Sequence, residues 1–171
     1  MAEDPYARFG AVPLFTLTSE DVADGVPLES TFRASGGDTS PQLSWSGFPE
    51  GTKSFAVTIH DPDAPTGAGF WHWAVYNIPA SVTSLDRGAG NAHGQLPTGA
   101  AQLKNEYRQP GFAGAEPPEG TGRHRYLIVV YAVDVDHLDL DPESTPSVLG
   151  FNLHFHTLAR AVIVPTAAFG D

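Results

Sequence analysis

The sequence predicts an all-β fold, an antiparallel sandwich with a short C-terminal helix and long loops. Three observations carry this reading. Short segments rich in β-branched and aromatic residues alternate in twos, as half-buried strands do. Glycine (18) and proline (15) punctuate the chain between those segments. One segment alone combines a cap with an apolar spacing suited to a helix.

Strands are expected at Leu14–Ser19, Gln42–Trp45, Ser54–Asp61, His72–Ile78, His124–Val135 and near Ala161–Pro165. Turn signals separate them: the Ala34–Asp38 run with its paired glycines, Phe48-Pro-Glu-Gly51, and Asp61-Pro-Asp-Ala-Pro-Thr-Gly67. From Gly88 to Gly122 a Pro/Gly-rich stretch shows no element of its own, and loops that long in a compact domain tend to be functional. The helix is expected between Ser144 and Leu158. There Ser144-Thr145-Pro146 supplies a cap and a first-turn proline, and Leu149, Leu153 and Leu158 fall near one face. Gly150 opposes it by about 1 kcal/mol relative to Ala. With 171 residues and no shift in composition, one domain over 1–171 is expected, its core over 14–165.

Nine Lys+Arg against twenty Asp+Glu leave a net charge of −11, which argues against nucleic acid or an anionic membrane as partner. Cysteine is absent, so thiol nucleophiles, disulfides and Cys-ligated metals are excluded. The start, Met1-Ala-Glu-Asp-Pro5, is acidic where a secretory leader is basic and then apolar. The longest apolar run, Leu127–Val133, is far shorter than the roughly 18 residues a membrane span needs. A soluble, cytoplasmic protein without an integral membrane segment is expected.

Three segments carry candidate chemistry. Asp61 ends the alternating row Phe55, Val57, Ile59, so its carboxylate points coreward and needs donors. The alternative is an Asx-type turn residue. His124 and Tyr126 open a long apolar strand and share a face with Ile128, Val130 and Ala132. They form either a pocket floor or a hydrogen-bonded core pair. In Trp71-His72-Trp73, period-2 parity sets His72 with Ala74, Tyr76 and Ile78, opposite Trp71, Trp73 and Val75. Indoles beside an imidazole suit a binding wall or plain aromatic packing. On a strand His154 and His156 would share a face and could bind a metal; on the expected helix they lie about 200° apart and cannot. No metal or other cofactor is expected. P-loop, dinucleotide and nucleophile-elbow patterns are absent.

Together, Asp61-Pro-Asp-Ala-Pro65, the Trp71–Pro79 run and Pro117-Pro-Glu-Gly-Thr-Gly-Arg-His-Arg-Tyr126 resemble the phosphatidylethanolamine-binding protein family, in its bacterial Raf kinase inhibitor-like branch. Ser40–Trp45, Gly51–Phe55 and Gly150–His156 are similar to that branch too. The resemblance implies an antiparallel β-sandwich with Greek-key connections and a small anion pocket at one end. It implies pocket residues Asp61, His72, Pro117, Pro118, His124 and Tyr126, a phosphate or phosphoethanolamine-type head group as ligand, and a homodimer. Because the Pro65–His72 loop is short, kinase inhibition is not carried over with the name.

Three functions are weighed. A binding module would hold a phosphorylated head group, possible phospholipid included, through imidazole and phenol donors. A hydrolase would use an Asp/His acid–base pair on phosphorylated or acyl substrates, but lacks a recognisable nucleophile. An inhibitor-like regulator would occupy the active site of a protein partner, a kinase or protease. Binding is the expected function, without catalysis.

Overall fold

In the computed structural model the described residues are 6–171, so the acidic start at 1–5 lies outside them. The strands are β1 (Thr16–Thr18), β2 (Leu43–Ser46), β3 (Ser54–Asp61), β4 (Phe70–Pro79), β5 (Ser84–Leu85), β6 (Ala101–Gln102), β7 (Arg123–Arg125), β8 (Leu127–Val133), β9 (Thr157–Ile163) and β10 (Thr166–Ala168). One α-helix, α1 (Pro146–His156), precedes β9. The strands make a five-stranded sheet of order β6-β4-β3-β8-β9, a three-stranded sheet β1-β2-β5 and a two-stranded sheet β10-β7, with every strand pairing antiparallel.

The central strands are buried on both faces, which is why β3 and β8 read as near-continuous apolar runs. One face sets Phe55, Val57, Ile59, Ile128 and Val130 against Leu43, Trp45 and Leu85 of the smaller sheet. The other sets Ala56, Val129 and Tyr131 against Leu149 and Leu153 of α1. Thr145 caps α1, its hydroxyl accepting from Val148 N at 3.4 Å, and Pro146 opens the first turn. Leu149 and Leu153 are buried as expected, but Leu158 belongs to β9 and packs on the opposite side of the sheet.

Three expectations of regular strands are corrected. The His124–Val135 strand is two: β7 pairs with β10, and Tyr126, whose N–H goes to Pro165 O at 2.9 Å, marks the break before β8 joins β3. Within β4 the pairing slips between Ile59↔Trp73 and His60↔Trp71, leaving His72 as the extra residue of a bulge. His72 therefore shares its face with Trp73 and Ile59, not with Ala74 and Tyr76. A second slip, Phe55↔Ile78 to Val57↔Val75, centres on Asn77 at φ 57° and moves Ile78 to the Trp73 side. The Asn77 side chain fastens this kink to Leu138, accepting from its N–H at 2.7 Å and donating to its carbonyl at 3.1 Å. The long 88–122 stretch holds the short β6 and otherwise lies over β4 through backbone bonds such as Ala113 N–H to His72 O at 2.9 Å.

Candidate ligand pocket

Two acidic residues of the turn after β3 engage β7 in parallel. Asp61 Oδ1 accepts from the N–H groups of Asp63 (2.8 Å) and Ala64 (3.0 Å), so the Asx turn is present. Its Oδ2 accepts from His124 Nδ1 at 2.7 Å, and both side chains are buried. Two residues past Asp61, in the turn, Asp63 takes a forked pair from Arg125, Nε at 2.7 Å and Nη2 at 2.8 Å, plus the Arg125 N–H at 3.0 Å. That guanidinium holds the Asp63 carboxyl below the usual carboxylate range, against a smaller opposing effect of burial.

His124 has no nitrogen to spare for a ligand. Its Nε2 lies 2.9 Å from Thr121 Oγ1, which is also 2.6 Å from Pro118 O. A hydroxyl has one hydrogen and a carbonyl can only accept, so that hydrogen goes to Pro118 and the Thr121 oxygen faces His124 as an acceptor.

The open polar atoms are one strand away. His72 Nδ1 lies 2.7 Å from Ala113 O, and since the carbonyl only accepts, Nδ1 carries the hydrogen. His72 Nε2 then presents a lone pair, and it is buried without a hydrogen-bond partner. Tyr126 Oη is likewise buried and unpartnered, its ring 5.2 Å from the His72 ring. The two share a small cavity of about 10 Å³, room for about one water molecule, whose other walls include Phe32, Ile59, Phe112 and Pro165. Burial pushes His72 down to about 4, against the Ala113 bond and the nearby Asp61 charge, which raise it. Burial and then Asp61 push the Tyr126 phenol up. At neutral pH the cavity thus offers one imidazole acceptor and one phenol donor.

Of the six site residues expected from sequence, His72 and Tyr126 line this cavity. Asp61 and His124 are joined to each other beside it. Pro117 is buried and Pro118 exposed, and neither lines the cavity, although the Pro118 carbonyl holds Thr121. Sequence reasoning missed three contributors. Ala113, whose carbonyl sets the His72 tautomer, carries no signal in its type. Thr121, between Gly120 and Gly122 and three residues before His124, had a legible turn signature. Arg33 is 6% exposed and donates to Ala168 O at 2.9 Å, and its charge acts on Tyr126. Nothing in its neighbours in sequence marks it. Among the described residues no three His, Asp or Glu side chains converge to hold a metal, and His154 and His156 go separate ways, the latter to Asp134 at 2.8 Å.

Comparison with known proteins places these features in context. A family model described as phosphatidylethanolamine-binding protein matches residues 18–168. The Escherichia coli UPF0098 protein YbcL is 46% identical over 157 residues, covering 88% of this chain and 86% of its own length. YbhB of the same organism is 44% identical over 158 residues, covering 90% and 98%. The YbcL crystal structure superposes with a TM-score of 0.88, at 45% identity, over 91% of this chain and 98% of that one. A Chlamydia trachomatis homologue, CT736, superposes at 0.77 with 29% identity over 91% and 97%.

Proposed function

The chain belongs to the phosphatidylethanolamine-binding protein family, and we propose that it is a soluble, cytoplasmic single-domain binding protein for phosphate or phosphoethanolamine-type head groups, seated at His72 and Tyr126. One observation carries the reading: two residues that line one cavity, His72 and Tyr126, each bury a polar atom without a partner, Nε2 and Oη, of opposite hydrogen-bonding character. Leaving such groups unpaired costs about 1–3 kcal/mol each, which a ligand recovers.

Tyr126 donates to one phosphate oxygen. His72 Nε2 accepts from a protonated phosphate oxygen, or takes up a proton and donates to an ionised one. The second state is favoured as the ligand's negative charge approaches, because an opposite charge stabilises imidazolium. Asp61, His124, Pro117 and Pro118 hold the wall beside the ligand. The cavity is smaller than a phosphate, so its walls must part to admit one. Titrating inorganic phosphate into ¹⁵N-labelled protein should shift the amides of Ala113 and Tyr126 saturably. Shifts confined to other regions contradict the assignment.

A hydrolase is the second reading, favoured by the order Thr121 Oγ1, His124 Nε2, Asp61 Oδ2, which resembles a nucleophile, base and orienting carboxylate. Against it stands the Thr121 hydrogen, directed at Pro118 O and not at His124. Saturable turnover of phosphomonoesters or acyl esters, lost in Thr121→Ala, would establish it. A homodimer is part of the proposal on family resemblance, with exposed aromatic side chains such as Tyr107 and Phe169 available to an interface. Sedimentation at the mass of one 18.1 kDa chain at micromolar concentration contradicts it. Occlusion of a kinase or protease rests on the resemblance alone.

A further inference from the structure

On the opposite side of the five-stranded sheet from the His72 cavity runs a groove of about 550 Å³. Its walls come from the segment around Tyr6 and Phe9, from Trp71 at the start of β4, from Tyr131 of β8, from Phe151 of α1 and from Arg160 of β9. The size and the mainly apolar and aromatic lining fall within the range of small-molecule sites. Phe9 and Phe151 leave the rim open, at 46% and 68% exposure.

Charge distinguishes this groove from the rest of the molecule. The chain carries twenty Asp+Glu, yet among the described residues no acidic side chain lines the groove, while Arg8 and Arg160 do. Among the described residues Arg33, Arg87, Lys104, Arg108, Arg123 and Arg125 each face a carboxylate. Arg8, Arg160 and Lys53 have none, and of these Arg8 and Arg160 line the groove. Instead the Arg8 guanidinium lies over the Phe9 ring at 5.0 Å, and that of Arg160 over the Tyr6 ring at 5.1 Å, with one nitrogen donating to Gly10 O at 3.3 Å. In a protein of net charge −11, two cations kept clear of carboxylates beside an aromatic trough make a local site for a negative group attached to an apolar body.

We propose that this groove binds a single-chain anionic amphiphile, an acyl carboxylate, with its head group at Arg160 and Arg8 and its chain along Trp71, Tyr131 and Phe151. The site is separate from the His72 cavity, on which it does not depend. Trp71 is a built-in reporter, since Trp45 and Trp73 are buried on the other side of the sheet.

Decanoate, decanol and decyltrimethylammonium are titrated against the intact protein, following tryptophan fluorescence. Decanoate should give a saturable change that Trp71→Phe removes, and should bind more tightly than decanol, with the cation weakest. Arg160→Gln should weaken decanoate by about tenfold and leave decanol nearly unchanged. If that variant does not fold, the exposed Arg8→Gln serves the same purpose with a smaller loss. Excess inorganic phosphate should not displace decanoate. Equal affinity for decanoate and decanol, no saturable response at millimolar decanoate, or displacement by phosphate overturns the proposal. Loss of the response as the protein self-associates assigns the groove to a second copy and equally overturns it.

Discussion

Asp61 Oδ2 and His124 Nδ1 meet at 2.7 Å although they are 63 residues apart in sequence, and both side chains are closed off from solvent. Their union ties the end of β3 to β7, and the neighbouring Asp63–Arg125 fork doubles the tie. The strand break after Arg125 then delivers Tyr126 to the cavity. Asp61 and His124 accordingly spend their polar atoms on each other, the turn and Thr121, beside the cavity that His72 and Tyr126 line.

Removing one partner of a buried, hydrogen-bonded pair leaves the other uncompensated, at about 3–5 kcal/mol. Asp61→Ala should lose stability on that scale, because it also frees the Asp63 and Ala64 amides. Asp61→Asn should lose less, since its carbonyl oxygen can still accept from those amides. Urea unfolding of the two variants checks the order, and an Asn variant as unstable as Ala contradicts the Asx-turn contribution.

His72 makes stability depend on pH. Its value in the fold is about 4 against 6.5 for an ordinary histidine, so between those values the unfolded chain binds more protons than the folded one. Stability is therefore greatest above 6.5 and falls by about 3 kcal/mol as pH drops to about 4, beyond which this group adds no further change. His72→Gln should flatten that part of the profile. Parallel urea melts at pH 7 and pH 5 measure it, and an unchanged slope in the variant contradicts the burial of a neutral imidazole.

Asn77 does two things at once: it accepts φ 57°, which Ala resists, and it clamps the Leu138 backbone. Asn77→Gly keeps the backbone freedom and loses the clamp. Asn77→Ala loses both, so it should be the less stable of the two by about 1 kcal/mol. Thermal or urea unfolding decides, and Ala equal to or better than Gly contradicts a strained bulge.

Much of this architecture was legible because apolar alternation and turn residues report on regular strands. Each of the six expected strands overlaps an observed one, though His124–Val135 spans two, and the Thr145–Pro146 start of α1 was readable from its cap. The side of β4 that His72 occupies was not. Parity counts twos, and a bulge adds one residue, so every assignment beyond it inverts. Nothing in Trp71-His72-Trp73 announces that slip, which depends on pairing with Ile59 and His60. Pairing also explains why the two-residue β5 and β6 were invisible: segments that short have no period to read. The candidate site was legible as motifs but not as roles. Asp61, His124 and Tyr126 look alike as polar points on apolar rows, and only their hydrogen-bond partners separate a satisfied pair from an open donor.

The proposed binding of a phosphate-type group at His72 and Tyr126, with uptake of a proton by His72, is decided by calorimetry of inorganic phosphate and of phosphoethanolamine at pH 5.5 and pH 8. Affinity should rise toward the acid side, and the heat at pH 5.5 should depend on the buffer's own ionisation enthalpy, since binding draws a proton from it. His72→Gln should abolish that pH dependence with a loss of more than about tenfold at pH 5.5, and Tyr126→Phe should cost about 1 kcal/mol at both values. Equal affinity at the two pH values, or binding unchanged in a folded His72→Gln protein, would contradict the account.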